Sequence, residues 1–205
     1  MDIKNYKILA VLTSPGMGVN HFSNMISTSP SVANRKIGAE NYKEFLINLY
    51  STSYQQFHAD EFLLFGVEDW TKAYHLVKNN QQTTVLPGHM EDAYWVLNHV
   101  RPLGPIGAIT FEIFDFDLEE FYRKKRNQSY TNYNPAVYKF LYTKDVVSRI
   151  LDIPNDDILA VDASRLHRPN VDQLLEEIDD VLNLDLDMDL CKKLHTLWYT
   201  TTNSK

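Results

Sequence analysis

The chain has 205 residues, 44% of them hydrophobic, with a net charge of −7 and a pI near 5.4. This supports a single domain with a real core, and the acidic balance disfavours wholesale nucleic-acid binding. No stretch approaches the ~20 apolar residues of a membrane span. Met1 leads into polar residues and then a strand, which predicts no signal peptide. The lone cysteine, Cys191, excludes an internal disulfide and a cysteine-built zinc site. A reducing, cytoplasmic compartment is expected.

Ile8 to Leu12 is an unbroken apolar run, the pattern of a strand buried on both faces. It gives way to the loop Ser14-Pro15-Gly16-Met17-Gly18-Val19-Asn20 and then a helix with Phe22, Met25 and Ile26 on one face. Strand, glycine loop and helix together bring backbone N–H groups and a helix N-terminus to an anion. Asn41 to Phe57 reads as an aromatic-rich helix and Glu61 to Phe65 as a strand. Asp69 can cap a helix carrying Tyr74 and Val77. Thr83 to Leu86 is a short strand ending at Pro87-Gly88-His89, and Glu91 to Val100 reads as helical.

Gly107 to Phe114 is the next strand, and Leu118 to Arg126 begins a helix ending in the basic run Arg123-Lys124-Lys125-Arg126. That run is either a solvated helix end or a contact for a nucleotide phosphate. Asn127 to Pro135 is a polar loop, and Ala136 to Ile150 reads as one helix. Ile158 to Val161 is the last strand. Asn170 caps an amphipathic helix with Val171, Leu174, Leu175, Ile178 and Leu182 on one face. A final helix carries Leu190, Leu194, Leu197 and Trp198, with Cys191 in its apolar pattern, and the tail from Thr200 to Lys205 is expected to fray. The alternation predicts an α/β fold: a mainly parallel central sheet with helices on both faces and a helical C-terminal part over 170–199.

In such sheets ligands bind at the carboxyl ends of the strands. The Ser14–Asn20 loop and Pro87-Gly88-His89 share that address. The loop lacks the Gly-Lys-Ser/Thr of a Walker A motif, which argues against an NTPase. What remains is a backbone cradle with Ser14, Asn20 and His21 as side-chain donors, or else a tight turn whose glycines permit positive φ. His89 is the candidate general base, its alternative a loop histidine bonded to a carbonyl. His58, His75, His99, His167 and His195 read as surface or packing residues. His89, Glu91 and Asp92 make a poor metal set. Asp185, Asp187 and Asp189 fail as a calcium loop, because Leu190 and Thr196 stand where glycine and glutamate are needed. No Gly-x-Ser-x-Gly elbow is present, so nucleophilic hydrolysis has no support.

With these residues in view, the chain resembles a small, divergent sulfotransferase of the kind carried by phages of marine bacteria. The resemblance rests on Ile8 to Ile26 with its Gly-x-Asn-His step, on Pro87-Gly88-His89, on Ile158 to Pro169, and on the terminal helices ending Leu194-His195-Thr196-Leu197-Trp198-Tyr199. It implies a P-loop-NTPase-like three-layer sandwich and the donor 3′-phosphoadenosine 5′-phosphosulfate (PAPS). The acceptor would be a hydroxyl or amine on a small molecule or carbohydrate, with no metal. It further implies donor contacts from Ser14, Pro15, Gly16, Met17, Gly18, Val19, Asn20 and His21, with His89 deprotonating the acceptor. The sequence departs from the family pattern at Gly16, where a loop lysine is expected. It departs again at Asp115, where an arginine should bind the 3′-phosphate; Arg123, eight residues on, stands where a serine is expected, and Arg123, Lys124 or Arg126 is the expected substitute cation. A non-catalytic accessory protein on the same fold is the alternative reading, and a small-molecule kinase a weaker one. Acceptor loops are expected at Ser51 to Asp60 and Asn127 to Pro135, with Tyr54, Tyr130 and Tyr133 as stacking candidates.

Overall fold

The computed structural model describes residues 1–14, 16–33, 70–90, 97–114 and 134–203. The expected helix at 41–57, strand at 61–65 and helix at 118–126 lie outside these residues, as do Pro15, Asp69, Glu91, Asp92, Asp115 and Arg123. The same holds for Tyr54, Tyr130 and Tyr133.

Among the described residues, four strands form one parallel sheet: β1 (Ile8–Leu12), β2 (Thr84–Gly88), β3 (Ile106–Glu112) and β4 (Ile158–Asp162), in the order β2-β1-β3-β4. Ile8 pairs with Thr84 on one side and Ile106 on the other, and Ala108 pairs with Ile158. Every residue of β1 and β3 is buried, as the unbroken apolar run of β1 requires of a central parallel strand. β4 alternates, with Ile158 and Val161 inward and Ala160 exposed, as suits an outer strand. The chain passes from β1 to β2 in one direction across the sheet and from β3 to β4 in the other. Right-handed crossovers then place the connecting segments on opposite faces. The α/β class expected from the sequence is the observed one.

The helices are α1 (Val19–Ile26), α2 (Trp70–Asn79), α3 (Pro135–Leu141), α4 (Lys144–Leu151), α5 (Ala163–Leu166), α6 (Asp172–Leu182) and α7 (Met188–Asn203). The α6 face is the expected one: Leu174, Leu175, Ile178 and Leu182 are buried, and the Asn170 side chain accepts from the Asp172 N–H at 2.8 Å. Cys191 is fully buried, as its place in the α7 pattern requires.

Three elements differ from expectation. β2 does not stop at Leu86: Pro87 lies opposite Val11 and Gly88 opposite Leu12. Proline lacks an N–H, but an outer strand of the described sheet tolerates that loss. The helix expected over Ala136 to Ile150 is two helices, broken at Tyr142-Thr143. There the Tyr142 carbonyl accepts from the Thr110 hydroxyl (2.7 Å), and the Glu112 carboxylate caps α4 by accepting from the Lys144 N–H (2.6 Å). Tertiary hydrogen bonds from the end of β3 thus override local helix propensity. Finally, α7 runs to Asn203 rather than fraying at Thr200. The hydroxyls of Thr200, Thr201 and Thr202 donate to carbonyls four residues back, at 2.7–2.8 Å. No described helix is long and apolar enough to cross a membrane.

Candidate active site

Adjacent strands β1 and β3 send the chain to opposite sides of the sheet, so the topological switch among the described strands lies between their carboxyl ends. The loop leaving β1 stands there. Thr13 N–H still reaches the Gly88 carbonyl (3.4 Å), tying the end of β1 to the end of β2. The chain then turns sharply, with Met17 N–H donating to the Ser14 carbonyl at 3.2 Å. Met17 is buried, so it anchors the turn in the core.

Gly18 begins α1 in the left-handed region (φ 88°), and no side chain caps the helix. The Val19 and Asn20 N–H groups at its start are thereby left for water or an oxyanion. Ser14 adds a second feature: it is 1% exposed and its Oγ has no hydrogen-bond partner among the described residues. Leaving such a group unpaired costs about 1–3 kcal/mol, which a bound oxyanion or water would relieve. Gly16 also has positive φ (76°) and is half-buried, as is Asn20; Val19 is nearly covered.

Gly18 has no space for a side chain. A Cβ there would sit 3.0 Å from Trp198 Cζ2 and 3.4 Å from Leu166 Cδ2. Gly18→Ala is expected to lower unfolding free energy by about 2–4 kcal/mol, combining left-handed strain with overpacking. Urea denaturation measures this directly.

The expected His21 donor faces inward. Its ring is fully buried and stacked on Trp198, with centroids 4.4 Å apart and planes 11° from parallel. Its Nε2 lies 3.1 Å from His195 Nδ1, and His195 Nε2 lies 2.8 Å from the Arg168 carbonyl. A carbonyl only accepts, so His195 carries its proton on Nε2 and its Nδ1 accepts from His21 Nε2–H. The His21 proton that the sequence directs at an anion is thus directed at α7. Burial, then the neighbouring His195 and His167, hold the His21 pKa well below its ordinary 6.5; burial lowers that of His195 too.

The pH consequence follows from linkage. His21 is neutral in the fold, while in the unfolded chain it protonates below about pH 6.5. The unfolded state then binds more protons, so stability is complete above that pH and declines as pH falls toward the folded-state value. The expected slope from His21 is up to about 1.4 kcal/mol per pH unit. Urea midpoints measured from pH 7.5 to 5 should fall, and should fall less steeply in His21→Gln.

His89 is half-buried at the mouth of the same loop. Its Nδ1 lies 2.8 Å from the Thr13 carbonyl, the carbonyl bond that the sequence offered as the alternative to a base, so only Nε2 is left for chemistry. That carbonyl fixes the neutral tautomer with the proton on Nδ1, leaving Nε2 as the basic nitrogen. Next to it, Met90 N–H donates to the Tyr142 hydroxyl (3.0 Å), so the helix break at Tyr142 also steadies the His89 backbone. The structure therefore brings His89, Ser14 and the Gly16–Asn20 backbone to one end of the sheet, and turns His21 away from it. Sequence reading missed Thr13 as the holder of the tautomer and Trp198 as the wall behind the loop. The pairing of His195 and Trp198, three apart on one helix face, was the readable signal. Among the described residues no group of three or more His, Cys, Asp or Glu is placed to hold a metal.

No protein-family model matches this chain, and no curated protein does. Among solved structures, the sulfotransferase domain from the Synechococcus PCC 7002 olefin synthase is similar. Identity is 17%, the TM-score is 0.46, and the match covers 89% of this chain and 75% of that one. A likeness this distant transfers neither residues nor activity, and the phage affinity read from the sequence remains an expectation.

Proposed function

We propose that this chain is a sulfotransferase-like enzyme that moves a sulfuryl group from PAPS to a hydroxyl or amine of a small-molecule or carbohydrate acceptor. The observation that carries the proposal is the His89 Nδ1 contact with the Thr13 carbonyl, which sets an imidazole with a basic Nε2 beside an uncapped glycine loop. The unpartnered Ser14 Oγ fits an oxyanion there. Ser14 and the backbone of Gly16, Met17, Gly18, Val19 and Asn20 would hold the phosphosulfate end. Pro15, a proposed donor contact, and Arg123, the proposed 3′-phosphate cation, lie outside the described residues.

Bound PAPS supplies an activated sulfuryl group on a phosphate leaving group. His89 Nε2 takes the acceptor proton as the acceptor oxygen or nitrogen bonds to sulfur. The S–O bond to phosphate breaks, and its electron pair leaves on the phosphate of the desulfated product, PAP. The loop N–H groups stabilise the charge spread over the sulfuryl and phosphate oxygens. A second reading, a non-catalytic binding protein on the same fold, is favoured by Gly16, which puts no cation where the resembled family carries one.

Thermal melting with PAPS, PAP, ATP plus magnesium, and free sulfate tests the proposal. Ligand at 100 times its dissociation constant stabilises by about 2.7 kcal/mol. A shift with PAPS or PAP supports the sulfotransferase reading. A shift confined to ATP with magnesium supports a kinase, and no shift with any of them removes the donor site. PAP binding without transfer to any of a panel of phenols, amines and sugars supports the binding protein.

A further inference from the structure

The contacts behind the loop carry a second role. Trp198 of α7 covers Gly18, with Cζ2 3.0 Å from where a Cβ would stand, and stacks on His21 one turn further along α1. His195, also on α7, accepts a hydrogen bond from His21 and donates one to the Arg168 carbonyl beyond α5. One unbroken series of contacts therefore runs from the uncapped turn of α1, through α7, to the segment following β4. The same rings pack against His167, whose centroid is 5.4 Å from that of Trp198.

We propose that His195 and Trp198 are positioning residues of the oxyanion loop: α7 holds Gly18 and the start of α1 in the arrangement that presents the Val19 and Asn20 N–H groups. This rests on the loop being an oxyanion site. Neither residue touches the ligand; both act through Gly18 and His21. A glycine-rich turn without a cap has a strong entropic tendency to open. Here the stack and the paired imidazoles restrain it from the α7 side. His195 and Trp198 thereby shape donor affinity from the far end of the chain.

The test compares the unaltered chain with His195→Ala, His195→Gln, Trp198→Phe and the control Cys191→Ala. Cys191 packs α7 against the other end of α1, its Sγ 3.2 Å from Thr28 Oγ1 and 3.5 Å from the Met25 carbonyl. Two readouts are taken on folded protein. One is hydrogen exchange at Met17 and Phe22, whose N–H groups close the turn and open α1. The other is PAP affinity by calorimetry. His195→Ala is expected to speed exchange at Met17 and Phe22 about tenfold beyond any change in β3, and to weaken PAP binding by about tenfold. Trp198→Phe, which keeps a smaller ring on Gly18 and His21, should shift both readouts the same way by less. Glutamine can donate to the Arg168 carbonyl and accept from His21, so His195→Gln should restore both readouts. Cys191→Ala should change neither selectively.

If His195→Ala leaves both readouts at the control level, or Cys191→Ala moves them equally, α7 is merely a packing element and the proposal is overturned. An unaltered chain that binds neither PAP nor sulfate overturns the oxyanion reading itself, and that result is seen before any variant is made.

Discussion

Replacing His89 with alanine is expected to lower sulfuryl transfer by about 10²–10⁴-fold while leaving PAP affinity unchanged. The expectation comes from geometry. The Thr13 carbonyl occupies Nδ1, so the imidazole can serve only through Nε2, and no loop N–H depends on the ring. Alanine removes the base and leaves the turn closed by its own bond between Met17 and Ser14. Transfer from labelled PAPS to a panel of phenols and sugars gives the rate; calorimetry gives the affinity. Full turnover in the variant would end the assignment of His89 as base. Loss of PAP binding together with turnover would instead make His89 a support of the loop.

Trp198→Ala is expected to produce the largest loss of stability of any change at the site, about 3–5 kcal/mol. The indole is 2% exposed and touches Gly18, His21, His167 and His195 at once. Truncation leaves a cavity at the junction of α1, α5 and α7 that none of these groups can fill from its own element. For a chain of this size the corresponding fall in melting temperature is roughly 6–20 °C. Calorimetry reads it. A fall below a degree or two would mean that the C-terminal helix closes over the gap, and that the tight fit at Gly18 is not a constraint.

Parts of this site could be read before any fold was known. The apolar run Ile8 to Leu12 announces a two-face buried strand, and β1 has those bounds. The glycines at 16 and 18 mark a turn that only residues tolerant of positive φ can make, and both adopt it. Pro87-Gly88-His89 was read as a strand end carrying a candidate base, and the structure carries the strand two residues further, with His89 at the level of Thr13. The reading failed at His21. Helical position alone cannot tell whether an imidazole in a first turn faces a ligand or a packed helix. Its partner, His195, is 174 residues away.

Hydrophobic period and turn chemistry are local, and the sequence by itself determined what depends on them: that β1, β3 and β4 are strands, where α6 buries its face, that Cys191 is core, and that the glycines after β1 turn through positive φ. The tertiary structure alone decided what depends on distant hydrogen bonds and on rings meeting across elements. It broke the helix at Tyr142, because Thr110 and Glu112 reach its backbone from the end of β3. It chose the nitrogen on which His89 is basic, because a carbonyl of β1's exit lies opposite. It turned His21 inward, because Trp198 offers it an apolar face and His195 an acceptor.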